Sequence, residues 1–138
     1  MIQHIPFNAV QSAVYQLLSN GQTVPVYDKI PTGTEAFPYI WLGEFHDANI
    51  DDNKTGTMHN VSQQIDIWSH AGGKKEINGI LDDVTTLVTK YQLSLRGYKQ
   101  IGTAHIALCQ ALGERYEDKT SAYHGILLIE YKLEQLGG

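Results

Sequence analysis

The sequence predicts an α+β fold in which two amphipathic helices pack on one face of a mostly antiparallel four-stranded sheet. Three observations predict it. Between residues 60 and 68, apolar and polar residues alternate with the period of two that is typical of a strand with one buried face. Between residues 77 and 91, apolar residues recur at helical spacing. Other extended segments and a second helical stripe flank this unit, and a sheet covered by helices buries them all.

The chain opens with a predicted helix over residues 6–19, whose apolar side chains share one helical face. Pro6 lies where the first helical turn tolerates proline, and Gly21 suits the left-handed position that often ends a helix. A short extended piece over residues 24–27 follows, until Pro31 breaks it. The order of elements therefore begins with a helix and a minor strand.

Residues 38–45, with the sequence PYIWLGEF, are predicted to form the first main strand, which carries apolar side chains on both faces. The following segment, residues 46–59, is polar and acidic and has almost nothing to bury. Since strands of compatible pattern flank this segment, we predict a long polar hairpin loop. Long loops often bind partners, although a solvated hairpin tip with no binding role is the alternative.

The C-terminal part of the chain supplies two more predicted strands, over residues 101–112 and 122–133, joined by a polar turn. Two helices cover only one face of such a sheet, so apolar surface remains on the other. If the alternation holds, the residues that point away from the helices are Ile40, Leu42, Trp68, Ile126 and Leu128. This surplus predicts an interface with another subunit or another protein.

Length and composition narrow the class of protein. With 138 residues, the chain is expected to form a single domain, residues 1–138, that needs no metal or disulfide for stability. The single cysteine, Cys109, lies in an apolar run and is expected to be buried. No apolar run approaches the length of about 18 residues that spans a bilayer, and the N-terminus lacks a signal-peptide pattern. These features predict a soluble protein of a reducing cytoplasm.

The charge pattern argues against one class of partner. The formal net charge is −5, and the lysines and arginines are dispersed along the chain. Nucleic-acid-binding proteins normally present a clustered basic patch, so specific binding to DNA or RNA is not predicted.

A metal-dependent hydrolase is the alternative function that the residues leave open. His46 and His59 flank the polar loop and, with Asp47, Asp51 or Asp52, could bind a metal ion if the hairpin brings them together. Their spacing matches no compact ligand motif, and the acidic loop lacks the terminal glutamate of a calcium loop. His105 and Cys109 are too far apart in a strand to act together, and the HAGGKKE turn lacks the ending of a phosphate-binding loop. No catalytic, cofactor-binding or metal site is therefore predicted.

Three segments follow one another in an informative order: PYIWLGEF, then QQIDIWSHAGGKKEINGILDDV, and finally YHGILLIEYKL. Their most telling points are Pro38-Tyr39, Asp66, Trp68 and His124-Gly125. In these features the chain resembles the tail completion proteins of long-tailed bacteriophages and prophages, also called tail terminators or tail-to-head joining proteins. The resemblance covers residues 26–133, although the turn ERYEDKTSAY lacks the Asp-Gly pair associated with that hairpin.

The resemblance implies a structural virion protein, not an enzyme, and one without a cofactor. Such a protein assembles as a homo-oligomeric ring, expected to be a hexamer, that caps the tail tube and binds the tail tube protein and a head-side connector or stopper protein. DNA would be only a passing cargo, which suits an acidic ring, and no membrane would be involved. The implied location is the virion tail or neck, with assembly in the host cytoplasm. Another neck or connector adaptor protein is the nearest alternative.

The residues predicted to contact a partner or another subunit lie mostly on the polar loop. The loop could reach a partner, Trp68 ends the strand that follows the loop, and His124 opens the last predicted strand. These candidates are His46, Asp47, Asp51, Asp52, Lys54, His59, Trp68 and His124.

Overall fold

The computed structural model describes residues 5–32, 35–53, 56–70, 73–115 and 121–136, with the side chains of residues 48–53 and 56–57 outside that description. Two helices, α1 (Phe7–Gly21) and α2 (Lys75–Lys90), pack against one sheet. The strands are β1 (Val26–Tyr27), β2 (Tyr39–Asn53), β3 (Gly56–Ser69), β4 (Tyr98–Gln100), β5 (His105–Arg115) and β6 (Ser121–Gln135). The predicted α+β class with two helices is therefore confirmed.

The predicted number of four strands is wrong, because two short strands complete a six-stranded sheet. β1 pairs in parallel with the start of β2, and β4 pairs with the end of β6. Strands of two and three residues are too short to show an alternating pattern. The four long strands form the antiparallel series β2-β3-β6-β5, which corresponds to the predicted sheet.

The prediction of a long polar loop over residues 46–59 is also wrong. β2 and β3 remain paired through this segment, as far as Asn53 opposite Gly56. A ladder of backbone hydrogen bonds forms a strand even where no apolar face is buried, and such a strand has no apolar alternation to detect. β6 pairs with β3 only from Met58 onwards. The described part of the hairpin tip, residues 51–53 and 56–57, therefore continues past the end of β6 as a two-stranded ribbon.

Both helices pack on the same face of the sheet, where they enclose a hydrophobic core. The helical stripes predicted from the sequence supply one side of this core, and alternate residues of β3 and β6 supply the other. The fully buried members are Val10, Val14, Leu18, Ile40, Val61, Ile65, Ile67, Ile77, Val84, Leu127, Ile129, Tyr131 and Leu133. None of the helices among the described residues has the length and apolarity that a membrane span requires.

Two residues predicted to point away from the helices, Ile40 and Leu42, instead lie in this core. β2 is apolar on both faces, so its sequence alone does not fix which face is turned inward. The pairing register decides the matter, because Ile40 lies opposite Ile67 and Leu42 lies opposite Ile65. Directly opposed residues share a face of the sheet, and the two β3 isoleucines are fully buried.

α2 lies close to β6 because Gly125 has no side chain. A Cβ atom at this position would lie 3.1 Å from Leu81 and 3.3 Å from Ile77, both of which are buried. The helix begins near the end of β3, where the Ser69 hydroxyl donates a hydrogen bond of 2.6 Å to Glu76. Glu76 also lies in the first turn, where a negative charge interacts favourably with the helix dipole.

Candidate functional site

The sheet face that points away from the helices, called the outer face below, brings aromatic, aliphatic and charged side chains together. The register places Trp68, His124 and Leu112 in one row across three strands. The next row holds Trp41, Asp66, Ile126 and Gln110. The row after it holds Gln64, Leu128 and Leu108. Most of these residues are half-buried, and Leu108 is 42% exposed. As predicted for Trp68, Ile126 and Leu128, the outer face is therefore an uncovered surface that is largely apolar.

His124 links three strands at the centre of this face. Its Nε2 atom lies 2.7 Å from an Asp66 carboxylate oxygen on β3, and its Nδ1 atom lies 3.0 Å from a Glu114 carboxylate oxygen on β5. The Trp68 ring stacks on the imidazole with 3.8 Å between the ring centroids and 11° between the planes. The Gln64 side-chain amide donates to Asp66. We call the group of Asp66, Glu114 and His124 the His124 bridge.

The bridge favours the protonated imidazole. Burial of the His124 ring by itself lowers its pKa, but the hydrogen bonds to Asp66 and Glu114 and their charges raise it more, so the pKa lies above 6.5. A positively charged ring beneath an indole face also gains from a cation–π interaction. At neutral pH, the bridge can thus carry one positive charge between two negative ones.

A second polar cluster lies at the base of the hairpin, on the helix side of the sheet. His59 is buried, and its Nδ1 atom lies 2.8 Å from an Asp47 carboxylate oxygen. Its Nε2 atom lies 3.5 Å from the side-chain amide oxygen Oε1 of Gln135, and the Tyr98 ring meets the imidazole edge to face. These four residues, the hairpin-base cluster, join β2, β3, β4 and β6.

Tyr98 shows the electrostatic effect of this cluster. Burial raises the pKa of its phenol, and the charge of Asp47 raises it further, so the hydroxyl stays neutral. One carboxylate oxygen of Asp47 is buried with no hydrogen-bond partner among the described residues. A small number of side-chain hydrogen bonds, shielded from solvent, therefore hold the base of the hairpin.

The structure separates the candidate contact residues into different environments. His46 is exposed, whereas Asp47 and His59 belong to the buried hairpin-base cluster. Trp68 and His124 stack on the outer face. The backbones of Asp51 and Asp52 lie in β2, with side chains outside the description, and Lys54 lies outside the described residues altogether.

The geometry does not favour the metal site considered for the hairpin. His46 lies opposite Ser62 and points to the outer face, whereas His59 points to the helix side. The two rings therefore lie on opposite faces of the sheet. Within the described ranges, no three histidine, cysteine, aspartate or glutamate side chains are grouped so that they could hold a metal ion.

β5 is unusually exposed for an apolar strand. Most of its side chains are accessible on both faces, and Cys109, which was expected to be buried, is exposed. One reason is that β5 lies at the edge of the sheet. In the part of the chain that the structure describes, β5 pairs only with β6.

A groove of about 620 Å³ lies on the other side of the molecule, between the end of α1 and the end of α2. Its wall includes Leu17, Leu87, Tyr91 and Leu93 and contains no charged or metal-binding side chain among the described residues. Uncharged polar residues such as Gln16 and Gln92 complete the lining, so the groove has a mixed surface, and among the described residues it lacks the acidic, histidine or cysteine side chains that usually act in catalysis.

Sequence reasoning selected His124 and Trp68 but missed Glu114 as their partner. Asp66 was noted only as a point of resemblance. The bond between Asp66 and His124 joins residues 58 positions apart, and it depends on the pairing register of β3 and β6. No local pattern encodes that register, so the bridge could be found only in the folded chain.

A family comparison places these features in context. The family model described as tail completion protein gp17 matches residues 9–131 of the chain. The chain belongs to the tail completion protein gp17 family. It is thus a structural bacteriophage tail protein, as the resemblance of its strand and turn segments indicated. No curated protein matches this tail completion protein.

A solved structure has a similar fold. One chain of the virion of a native gene transfer agent particle matches with a TM-score of 0.78 and 24% sequence identity. The match covers 96% of this tail completion protein and 99% of that chain. At this level of identity, the match shows a shared fold across nearly the whole of both chains.

Proposed function

We propose that this tail completion protein forms a homo-oligomeric ring, a hexamer, that caps a phage tail tube and joins it to a connector or stopper protein on the head side. The observation that carries the proposal is the outer face, where apolar side chains remain half-exposed in the single chain. A contiguous exposed apolar surface usually marks a contact between proteins. The gp17 family and the virion in which the similar fold occurs support the same role.

The two edges of the sheet support a ring. Among the described residues, β5 pairs only with β6, and β1 covers only Ile40 and Trp41 of β2. β2 and β5 run in opposite directions, since three antiparallel pairings separate them. A second copy placed head to tail would bring its β2 beside β5 in the antiparallel sense. Such heterologous contacts close into a ring when the rotation between copies fits.

The hairpin tip is the proposed contact with the tail tube protein or the head-side partner. It continues past β6, and the hairpin-base cluster fixes its direction through Asp47 and His59. The proposed direct contacts are Asp51, Asp52 and Lys54 on the tip, and His46, Trp68 and His124 on the outer face.

The proposed role requires no enzymatic activity, cofactor or membrane. The net charge of −5 suits a conduit for DNA, because a basic lining would retain the passing phosphates. The protein would act in the virion tail or neck after assembly in the host cytoplasm. Metal analysis of protein purified without a histidine tag tests the competing hydrolase, which would need a stoichiometric bound ion.

Electron microscopy of assembled tail tubes mixed with the protein tests the proposal. We expect a cap at one end of each tube, and tubes with both ends bare would contradict the proposal. The oligomeric state of the free protein does not test the proposal, because ring formation can depend on the protein concentration and on the presence of a tube end. A protein that binds the connector but leaves tubes bare would instead be a neck adaptor.

A pair of matched variants tests the outer face. Leu108→Lys adds a charge to a side chain that is already 42% exposed, so the monomer should fold while capping is lost. Ile30→Lys adds the same charge at a 74% exposed position outside the sheet, and it should leave capping intact. Equal capping by the two variants would exclude the outer face as the contact surface.

A further inference from the structure

The geometry of the His124 bridge fits only the positively charged imidazole, in which both ring nitrogens carry a proton. Both ring nitrogens lie within 3.0 Å of carboxylate oxygens. A carboxylate only accepts hydrogen bonds, so both nitrogens must carry a proton for both bonds to form. A neutral imidazole has one N–H group and therefore satisfies one carboxylate and repels the other.

The two carboxylates differ in how readily water can replace the imidazole. The Asp66 side chain is 5% exposed and lies at 2.7 Å, whereas the Glu114 side chain is 32% exposed and lies at 3.0 Å. A buried carboxylate loses more free energy than an accessible one when its hydrogen bond is removed. The neutral ring should therefore keep its proton on Nε2, facing Asp66, and turn an unprotonated Nδ1 towards Glu114.

We infer that the His124 bridge is a proton-controlled clamp on strand β5, closed when the imidazole bonds both carboxylates and open on the β5 side when it loses a proton. Glu114 is on β5, and its bond to His124 is a side-chain tie between that strand and the centre of the outer face. Raising the pH would loosen β5 while leaving the contact between β3 and β6 in place. The inference concerns the single chain and does not depend on ring formation.

The surroundings of His124 support this assignment. Among the described residues, the charged groups that face the ring and raise its pKa are Asp66 from β3 and Glu114 from β5. The neighbours Trp68 and Leu112 do not titrate in this range. Since β5 has no described ladder on its other side, the loss of one tie should matter more here than in a central strand.

The structure offers a matched control. His105 and Glu130 form a second histidine–carboxylate pair between β5 and β6, but 3.9 Å separates their atoms and the histidine side chain is 71% exposed. Such a pair contributes little. Glu130→Gln therefore removes a glutamate charge from a histidine–carboxylate pair between the same two strands and leaves the His124 bridge unchanged.

Two measurements on the full chain test the inference. The first is NMR titration of the His124 ring in the wild type, Glu114→Gln and Glu130→Gln. We expect the midpoint to fall by about one pH unit in Glu114→Gln, because a nearby opposite charge is lost, and to stay unchanged in Glu130→Gln. The second is amide hydrogen exchange, expressed as protection factors to remove its intrinsic pH dependence.

The exchange result is specific to a clamp. In the wild type, protection of the β5 amides should fall as the pH rises through the His124 midpoint, while β3 amides keep theirs. In His124→Gln, which has no proton to lose, β5 protection should not vary over this range. Constant β5 protection in the wild type, or a midpoint that Glu114→Gln leaves unchanged, would overturn the inference without requiring any variant to misfold.

Discussion

At the scale of single residues, Gly125 and Tyr131 lie on the same strand and the same face and have opposite requirements. At Gly125, α2 lies so close that an added Cβ would crowd the side chains of Leu81 and Ile77. Tyr131 is fully buried in the core, but its hydroxyl has no hydrogen-bond partner among the described residues. One position is limited by volume and the other by polarity.

Gly125→Val should lower the free energy of unfolding by about 1–3 kcal/mol, because the added carbons meet Leu81 and Ile77 in a packed core. Chemical denaturation measures the change. Gly79→Ala is the control, since a Cβ there meets nothing within 4 Å. Alanine in an open helical position should raise the stability by about 0.5–1 kcal/mol. Equal effects of the two variants would contradict the close approach of α2 to β6.

Tyr131→Phe should raise the free energy of unfolding by about 1 kcal/mol, because it removes a desolvated hydroxyl and keeps the ring. Burial also raises the pKa of this phenol. Tyr15→Phe, at a 42% exposed position, should change stability by less than about 0.5 kcal/mol. A clear loss of stability in Tyr131→Phe would mean that the hydroxyl donates a hydrogen bond.

At the scale of elements, the long hairpin of β2 and β3 depends on its base. Backbone pairing joins its two strands near the tip, and the hairpin-base cluster ties the base to β4 and β6. His59 and His46 lie on opposite faces of this hairpin. They should therefore respond differently to the same substitution.

His59→Ala should lower the free energy of unfolding by about 2–4 kcal/mol, because it leaves a cavity and removes a hydrogen bond from the enclosed carboxylate of Asp47. His46→Ala, at an exposed position, should change it by less than about 0.5 kcal/mol. Thermal and chemical unfolding measure both. A small effect at His59 would show that the cluster does not hold the hairpin.

The elements also show what the sequence could predict. The strand over residues 60–68 and the helix after it were predicted correctly, because each buries one face and so has a clear period. The extension of the hairpin was missed because a two-stranded ribbon with polar side chains has no such period. The inward face of β2 was missed because both of its faces are apolar and the register with Ile65 and Ile67 selects one.

At the scale of the whole molecule, the sequence predicted the outer face but did not predict the His124 bridge at its centre. An uncovered apolar face was predicted from the surplus of apolar residues, and Trp68, Ile126 and Leu128 do lie there. The His124 bridge at its centre was not predicted, because it joins three strands through registers that only the folded chain fixes.

The bridge should make global stability depend on pH. The His124 pKa is raised in the folded state, so its contribution is complete below about 6.5, the unfolded value, and is lost as the pH rises through the folded value. We expect the melting temperature to fall between pH 6 and pH 9, and to fall less in His124→Gln. Parallel curves for the two proteins would show that another group controls the dependence.

The ribbon formed by β2 and β3 also has a mechanical consequence. The hydrogen bonds between β3 and β6 lie perpendicular to the strands, so a pull on the tip along the hairpin loads many of them in shear at once, whereas a sideways pull would open them one at a time. β3 continues from the tip into the middle of the sheet, between β2 and β6. A partner that grips the tip would therefore transmit axial tension directly to the hydrophobic core, and the joint would resist stretching far better than bending.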